Sequence, residues 1–150
     1  MVSQSNTSGD ARVATLAADL RMLSGKLSRR LREEGNLGDF TWTQMKVLSR
    51  LERDGPATVT ALAQAEGMRP QSMSTTIAAL KAAGLISGTA DPHDGRQTIL
   101  TLTATCRDSI RAARAAREDW LMHAIRTRLK PQEHEQLATA IELLERLTGS

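Results

Sequence analysis

The sequence predicts a mainly α fold, with one small β element and a long helix at each end. Three observations lead there. Apolar residues recur at helical spacing over residues 13–31 and again from residue 110 onward. Between those stretches, short helical patterns are cut by Gly- and Pro-containing breaks. One polar loop, DPHDGR at 91–96, separates two β-prone runs, LISGTA and QTILTLT.

Taken in order, residues 1–9 are small and polar and are expected to be disordered. From Asp10, the residues Val13, Leu16, Leu20, Leu23, Leu27 and Leu31 follow one another at steps of three and four. Arg21, Lys26, Arg29, Arg30 and Arg32 fall mainly off that line, so the pattern is a long amphipathic helix with a narrow apolar seam. Gly35 and Gly38 end it. Thr41 with Gln44 makes a capping box for a helix through Val47, Leu48 and Leu51, which DGPA at 54–57 stops. Thr58 can cap a short helix, VTALAQAEG, that ends near Gly67.

Pro70 fits the first turn of the next helix, where its missing N–H costs little. That helix buries Met73, Ile77 and Leu80, and Gly84 suits its C-terminal cap. In the second β-prone run, Thr98, Leu100 and Leu102 share one face while Ile99, Thr101 and Thr103 share the other. A lone two-stranded ribbon is marginal in water, so it is expected to lean on the helices. Ile110, Ala113, Arg117, Trp120, Ala124 and Ile125 then mark one long helix. Pro131 opens a last one through Leu137, Ile141, Leu144 and Leu147.

Composition narrows the function. The aromatic set is Phe40, Trp42 and Trp120, too few for a base-stacking platform on single-stranded nucleic acid. The net charge of +3 is mild. Basic and acidic side chains number six and four over residues 1–36, six and six over 37–103, and eight and seven over 104–150. DNA binding must therefore rest on where single charges sit rather than on a basic block. The lone Cys106 excludes an intrachain disulfide, and a structural thiol is favoured over a redox sensor. His93, His123 and His134 lack metal spacing, and no nucleophile, base and orienter set or phosphate loop is visible. The expectation is a cytoplasmic protein with no cofactor, no metal, no enzymatic activity and no membrane partner.

Residues 41–103 thus order as helix, short helix, turn, helix and ribbon. That order is a helix-turn-helix, whose second helix enters the DNA major groove, followed by a ribbon placed as a wing. Arg69 precedes the second helix, positioned for phosphate. Gln71, Ser72, Ser74 and Thr75 lie on or beside the face opposite the apolar side, with short groups able to reach base edges. Arg96 stands at the ribbon tip, where a long cation can extend beyond the surface, and Asp94 could fix its direction by a charge-assisted contact. Arg107, Arg111, Arg114 and Arg117 make a basic stripe that is favoured as a solvated face.

The run ALAQAEGMRPQSMSTTIAALKAAGLI followed by DPHDGRQTILTLT resembles the MarR family of winged helix-turn-helix transcription regulators. The D-x-R spacing ahead of L-T-L-T is the more specific part, and the flanking long helices extend the likeness from about residue 10. The resemblance implies a winged helix-turn-helix over 37–103 and a helical dimerisation region over 10–36 and 104–150. It also implies an obligate homodimer on a pseudo-palindromic operator in double-stranded DNA, with Asp94 orienting Arg96 into the minor groove. Leu16, Leu20 and Leu23 of the first seam and Leu137, Ile141 and Leu144 of the last helix are the expected dimer residues. Family anatomy further suggests a small-molecule effector near Phe40, Trp42, Arg12 and Met22, and hence a repressor released by its ligand. Gly95 and Cys106 depart from the family pattern, which bears on affinity rather than fold.

A polar helix face and a turn-stabilising Asp94–Arg96 surface pair are the plainer readings of the same residues. The competing function is a winged-helix protein-interaction module without direct DNA binding, favoured by the balanced charge of 37–103. Steep salt dependence of duplex binding separates the two.

Overall fold

A computed structural model describes the chain from residue 3 to residue 149. Six α-helices and three strands follow in the order α1 (Ser3–Glu34), α2 (Trp42–Asp54), β1 (Ala57–Thr58), α3 (Val59–Ala65), α4 (Pro70–Ala82), β2 (Ile86–Ala90), β3 (Thr98–Leu102), α5 (Ala104–Arg128) and α6 (Pro131–Thr148). They form two compact units, one of residues 37–113 and one of residues up to 36 with those from 114.

The first unit holds the core. Thr41 closes its capping box in both directions: the Gln44 N–H donates to Thr41 Oγ1 at 3.2 Å and the Thr41 N–H to Gln44 Oε1 at 2.9 Å. Thr58 Oγ1 accepts from the Ala61 N–H at 3.1 Å and starts α3. The helices then bury one stripe each: Val47, Leu48 and Leu51 of α2, Leu62 and Ala63 of α3, and Met73, Ile77 and Leu80 of α4. Leu100 and Leu102 close this core from the sheet, and Cys106 from the start of α5.

The sheet is antiparallel in the order β1-β3-β2, which corrects the expected two-stranded ribbon. Ala57 pairs with Leu100 and Thr58 with Ile99, so β3 is the central strand. Gly55, at φ 85°, turns the chain out of α2 and lays the two residues of β1 along β3. Two residues carry no readable periodicity, which is why they escaped the pattern. Their pairing supplies the third strand that a marginal hairpin needs.

In the second unit, α1 starts at Ser3, seven residues ahead of the expected Asp10. Extending a formed helix costs less than nucleating one, so a polar leader can join it. Residues 1 and 2 of the expected disordered segment lie outside the described residues. Arg117 Nε donates to the Gly35 carbonyl at 2.7 Å, satisfying a carbonyl just past the end of α1. Arg30 stacks over Trp120, with its guanidinium carbon 5.0 Å from the ring centroid.

Candidate nucleic-acid interface

Three local devices set the presentation of α4. Its start is fixed by Pro70 at the first helical position, with the Arg69 backbone extended as N-cap and no side chain capping it. Its end is fixed by Gly84 at φ 73° and by Thr103, whose hydroxyl donates to the Gly84 carbonyl at 2.7 Å. The same Thr103 oxygen accepts from the Cys106 N–H at 3.1 Å, so one residue closes α4 and opens α5. The approach of α3 is fixed by Glu66, whose side chain is only 5% exposed. Glu66 receives Lys46 Nζ at 2.8 Å and Arg50 Nε at 2.8 Å, both from α2. These two donors hold the Glu66 carboxyl below the usual glutamate value, and burial opposes them.

Around α4, the buried residues Met73, Ile77 and Leu80 define the inner face. At about 100° per residue, Gln71, Thr75, Ala78 and Ala82 stand opposite it, with Ser72 and Ser74 on the two flanks. All six are exposed, as is Arg69. The expected face is therefore real, and it is longer than the polar residues alone suggested. Ala78 and Ala82 continue it, offering methyl groups of the kind that contact thymine methyls. Their signal was the step of three and four from Gln71 and Thr75, which polarity alone does not display. The Thr75 hydroxyl donates to the Gln71 carbonyl at 3.2 Å, so toward solvent it is left as an acceptor.

The wing tip is built from two aspartate-centred turns. Asp91 Oδ1 accepts from the His93 N–H at 2.9 Å, and Asp94 Oδ1 accepts from the Arg96 N–H at 3.1 Å. The Gln97 N–H donates to the Asp94 carbonyl at 3.0 Å, closing the loop onto β3. Among the described residues the Arg96 guanidinium forms no ion pair. This corrects the expectation that Asp94 aims the guanidinium by direct contact. A short carboxylate reaches the N–H two residues on with little loss of freedom, whereas holding a long arginine would cost side-chain entropy.

At the root of the wing, Gly88 faces Leu100 across the ladder. A Cβ there would lie 2.6 Å from Thr98 Cγ2 and 3.1 Å from Lys81 Nζ. Lys81, in the last turn of α4, was not singled out from the sequence. Its ammonium lies against the wing strand.

In α1, Leu16 and Leu23 are exposed and Leu20 half-buried; in α6, Ile141 and Leu144 are exposed and Leu137 half-buried. Phe40 is half-buried against the core of its unit, and Trp42, at the start of α2, is 76% exposed. Arg12 and Met22 are exposed on α1. A cleft of about 430 Å³ is lined by Leu23, Lys26, Leu27, Arg29, Arg30, Glu33, Trp120 and Arg128, and so by none of the four expected effector residues. Of the basic stripe, Arg117 binds Gly35 and Arg111 pairs with Asp108, while Arg107 is exposed. Burial pushes the Cys106 thiol up, which opposes the thiolate that redox sensing needs.

Comparison with known proteins adds four findings. The family model described as MarR family matches residues 40–98, from just before α2 to the first residue of β3. An uncharacterised HTH-type transcriptional regulator of Mycobacterium bovis is 34% identical over 131 residues, covering 87% of this chain and 91% of that protein. A Pseudomonas aeruginosa protein assigned as a transcriptional regulator superposes with a TM-score of 0.78 at 34% identity, over 93% of this chain and 98% of that one. On fold alone, a mutant S. aureus MepR bound to an oligodeoxyribonucleotide matches with a TM-score of 0.68 at 23% identity, covering 88% of this chain and 97% of that one.

Proposed function

The chain belongs to the MarR family of transcription regulators, and on that premise we propose that it acts as a homodimeric repressor whose operator is released by a small-molecule effector. It is a DNA-binding regulator and not an enzyme. No helix among the described residues is long and apolar enough to cross a membrane. The cytoplasm, where DNA is reached directly, is the compartment this reading requires.

The observation that carries the DNA mode is the pairing of an exposed α4 face, whose N-cap lacks a side-chain hydrogen bond, with a wing-tip guanidinium that forms no ion pair among the described residues. In this reading Gln71, Ser72, Ser74 and Thr75 meet base edges or phosphates, Arg69 meets phosphate, and Arg96 enters the minor groove, where the potential is most negative. Two copies set their α4 helices about 34 Å apart on a pseudo-palindromic operator. The exposed seams of α1 and α6 support the two-copy state, because a single chain leaves them in water.

The effector reading rests on family membership, with Trp42, two residues from Phe40 in the chain, 76% exposed. A coupling of about 1–3 kcal/mol between effector and operator would be ordinary. The test is selection of genomic fragments by the purified protein, followed by titration of the selected duplex by fluorescence anisotropy with and without small molecules. Tight, salt-sensitive binding to one pseudo-palindrome supports the proposal. Absence of any selected duplex, or binding that no small molecule relieves, removes the corresponding part of it.

A further inference from the structure

The helix α4, PQSMSTTIAALKA, contains no carboxylate, and Lys81 is its one cation. Lys81 stands in the last turn, on the Ser74 flank, and its ammonium lies against the wing strand at Gly88. The centre of the exposed face is therefore left to Gln71, Thr75 and Ala78, none of them charged. From Gln71 to Ala78 the helix rises about 10 Å, the length of about three base-pair steps.

In the major groove each base presents its own pattern. Guanine offers two acceptors and is read by the paired donors of arginine or lysine, whereas cytosine offers a donor to carboxylates. The centre of the α4 face supplies neither partner. A glutamine amide, with donor and acceptor side by side, fits the N7 and amino group of adenine. Exposed methyl groups fit the C5 methyl of thymine. The Thr75 hydroxyl donates to the Gln71 carbonyl at 3.2 Å, so it has no proton to give to guanine and offers its methyl instead. Ser72 and Ser74 on the flanks suit any base and add no selectivity.

We propose that α4 reads A·T pairs in each half-site, with Gln71 selecting adenine and the methyl groups of Thr75 and Ala78 selecting thymine. This rests on the DNA mode described above and specifies its operator. Arg69, ahead of the helix, is left to phosphate. Runs of A·T pairs also narrow the minor groove and deepen its negative potential, which suits the Arg96 guanidinium.

The test is selection from random duplexes by the wild-type protein, then anisotropy titration of the recovered sequence carrying base analogues. Each half-site of the consensus should hold a run of A·T pairs. Deoxyuridine in place of thymine removes only the C5 methyl, and at a contacted position it should weaken binding about fourfold, as burial of one methyl group implies. Thr75→Ser keeps the hydroxyl and drops the methyl, so one such position should become indifferent to the exchange in that variant. Adenine with carbon in place of N7 should cost wild type about twofold to tenfold at one position, and Gln71→Ala nothing there. Half-sites built on G·C pairs, A·T half-sites that ignore both analogues, or analogue losses that both variants retain in full would overturn this readout and leave DNA binding standing. Recovery of no duplex at all would instead remove the DNA mode on which it rests.

Discussion

The Asp94 carboxylate accepts a hydrogen bond from the Arg96 backbone N–H at 3.1 Å, and it does not hold the Arg96 side chain. The aspartate therefore shapes the turn that displays the arginine. Asparagine carries the same acceptor oxygen, so Asp94→Asn should keep operator affinity within about twofold. Asp94→Ala should lose several-fold, in keeping with a hydrogen bond of about 0.5–1.5 kcal/mol. Anisotropy titrations of both variants decide the matter, because a charge-based role would make the asparagine variant as weak as the alanine one.

Arg96→Ala should weaken operator binding and lower the slope of log affinity against log salt by about 0.9, the loss of one phosphate-type contact. An exposed side chain without an ion pair contributes little to folding, so stability should move by no more than about 0.5 kcal/mol. A thermal melt beside the salt titration checks both halves. A large melting shift with unchanged affinity would assign Arg96 to the fold instead.

Glu66 ties the winged unit to pH. Its carboxyl lies below the ordinary glutamate value of 4.5 because Lys46 and Arg50 bond the ionised form. A group depressed in the folded state stabilises above its unfolded pKa and loses that stabilisation as pH falls through the folded pKa. Stability at neutral pH should thus be constant with respect to this group and should decline below about pH 4.5. Glu66→Gln should cost about 1–3 kcal/mol at pH 7 and flatten that acid limb. Urea melts from pH 7 to pH 3 would show whether the two curves converge in acid as expected.

Gly88 is required for space rather than for backbone conformation. Gly88→Ala should destabilise by about 1–3 kcal/mol, since its Cβ would meet Thr98 Cγ2 at 2.6 Å. Adding Thr98→Ser removes that methyl and should restore much of the loss. Denaturant midpoints of the single and double variants give the comparison, and additive losses would point to another cause.

Most of the fold was legible because its signals are local. The Thr41 box, the Thr58 cap, Pro70, Gly84 and Pro131 each mark an element boundary through their own backbone chemistry. The strand β1 was not legible, because two residues owe their state to β3, more than forty positions away in the chain. The site divides in the same manner. The α4 face follows from helical spacing, whereas the wing-tip bonding depends on whether a carboxylate chooses a backbone or a side-chain donor, which spacing does not encode. Lys81 at the wing root likewise emerges only when Gly88 leaves room for it. The ion pairs of Glu66 join α3 to α2 across sixteen residues between Arg50 and Glu66, and no short motif announces them.

The most direct test of two copies reading one duplex is the stoichiometry of the complex on a selected operator, measured by sedimentation across a range of salt. Two chains per duplex are expected, with an affinity that falls steeply as salt rises. One chain per duplex, or no complex even at low salt, would contradict it.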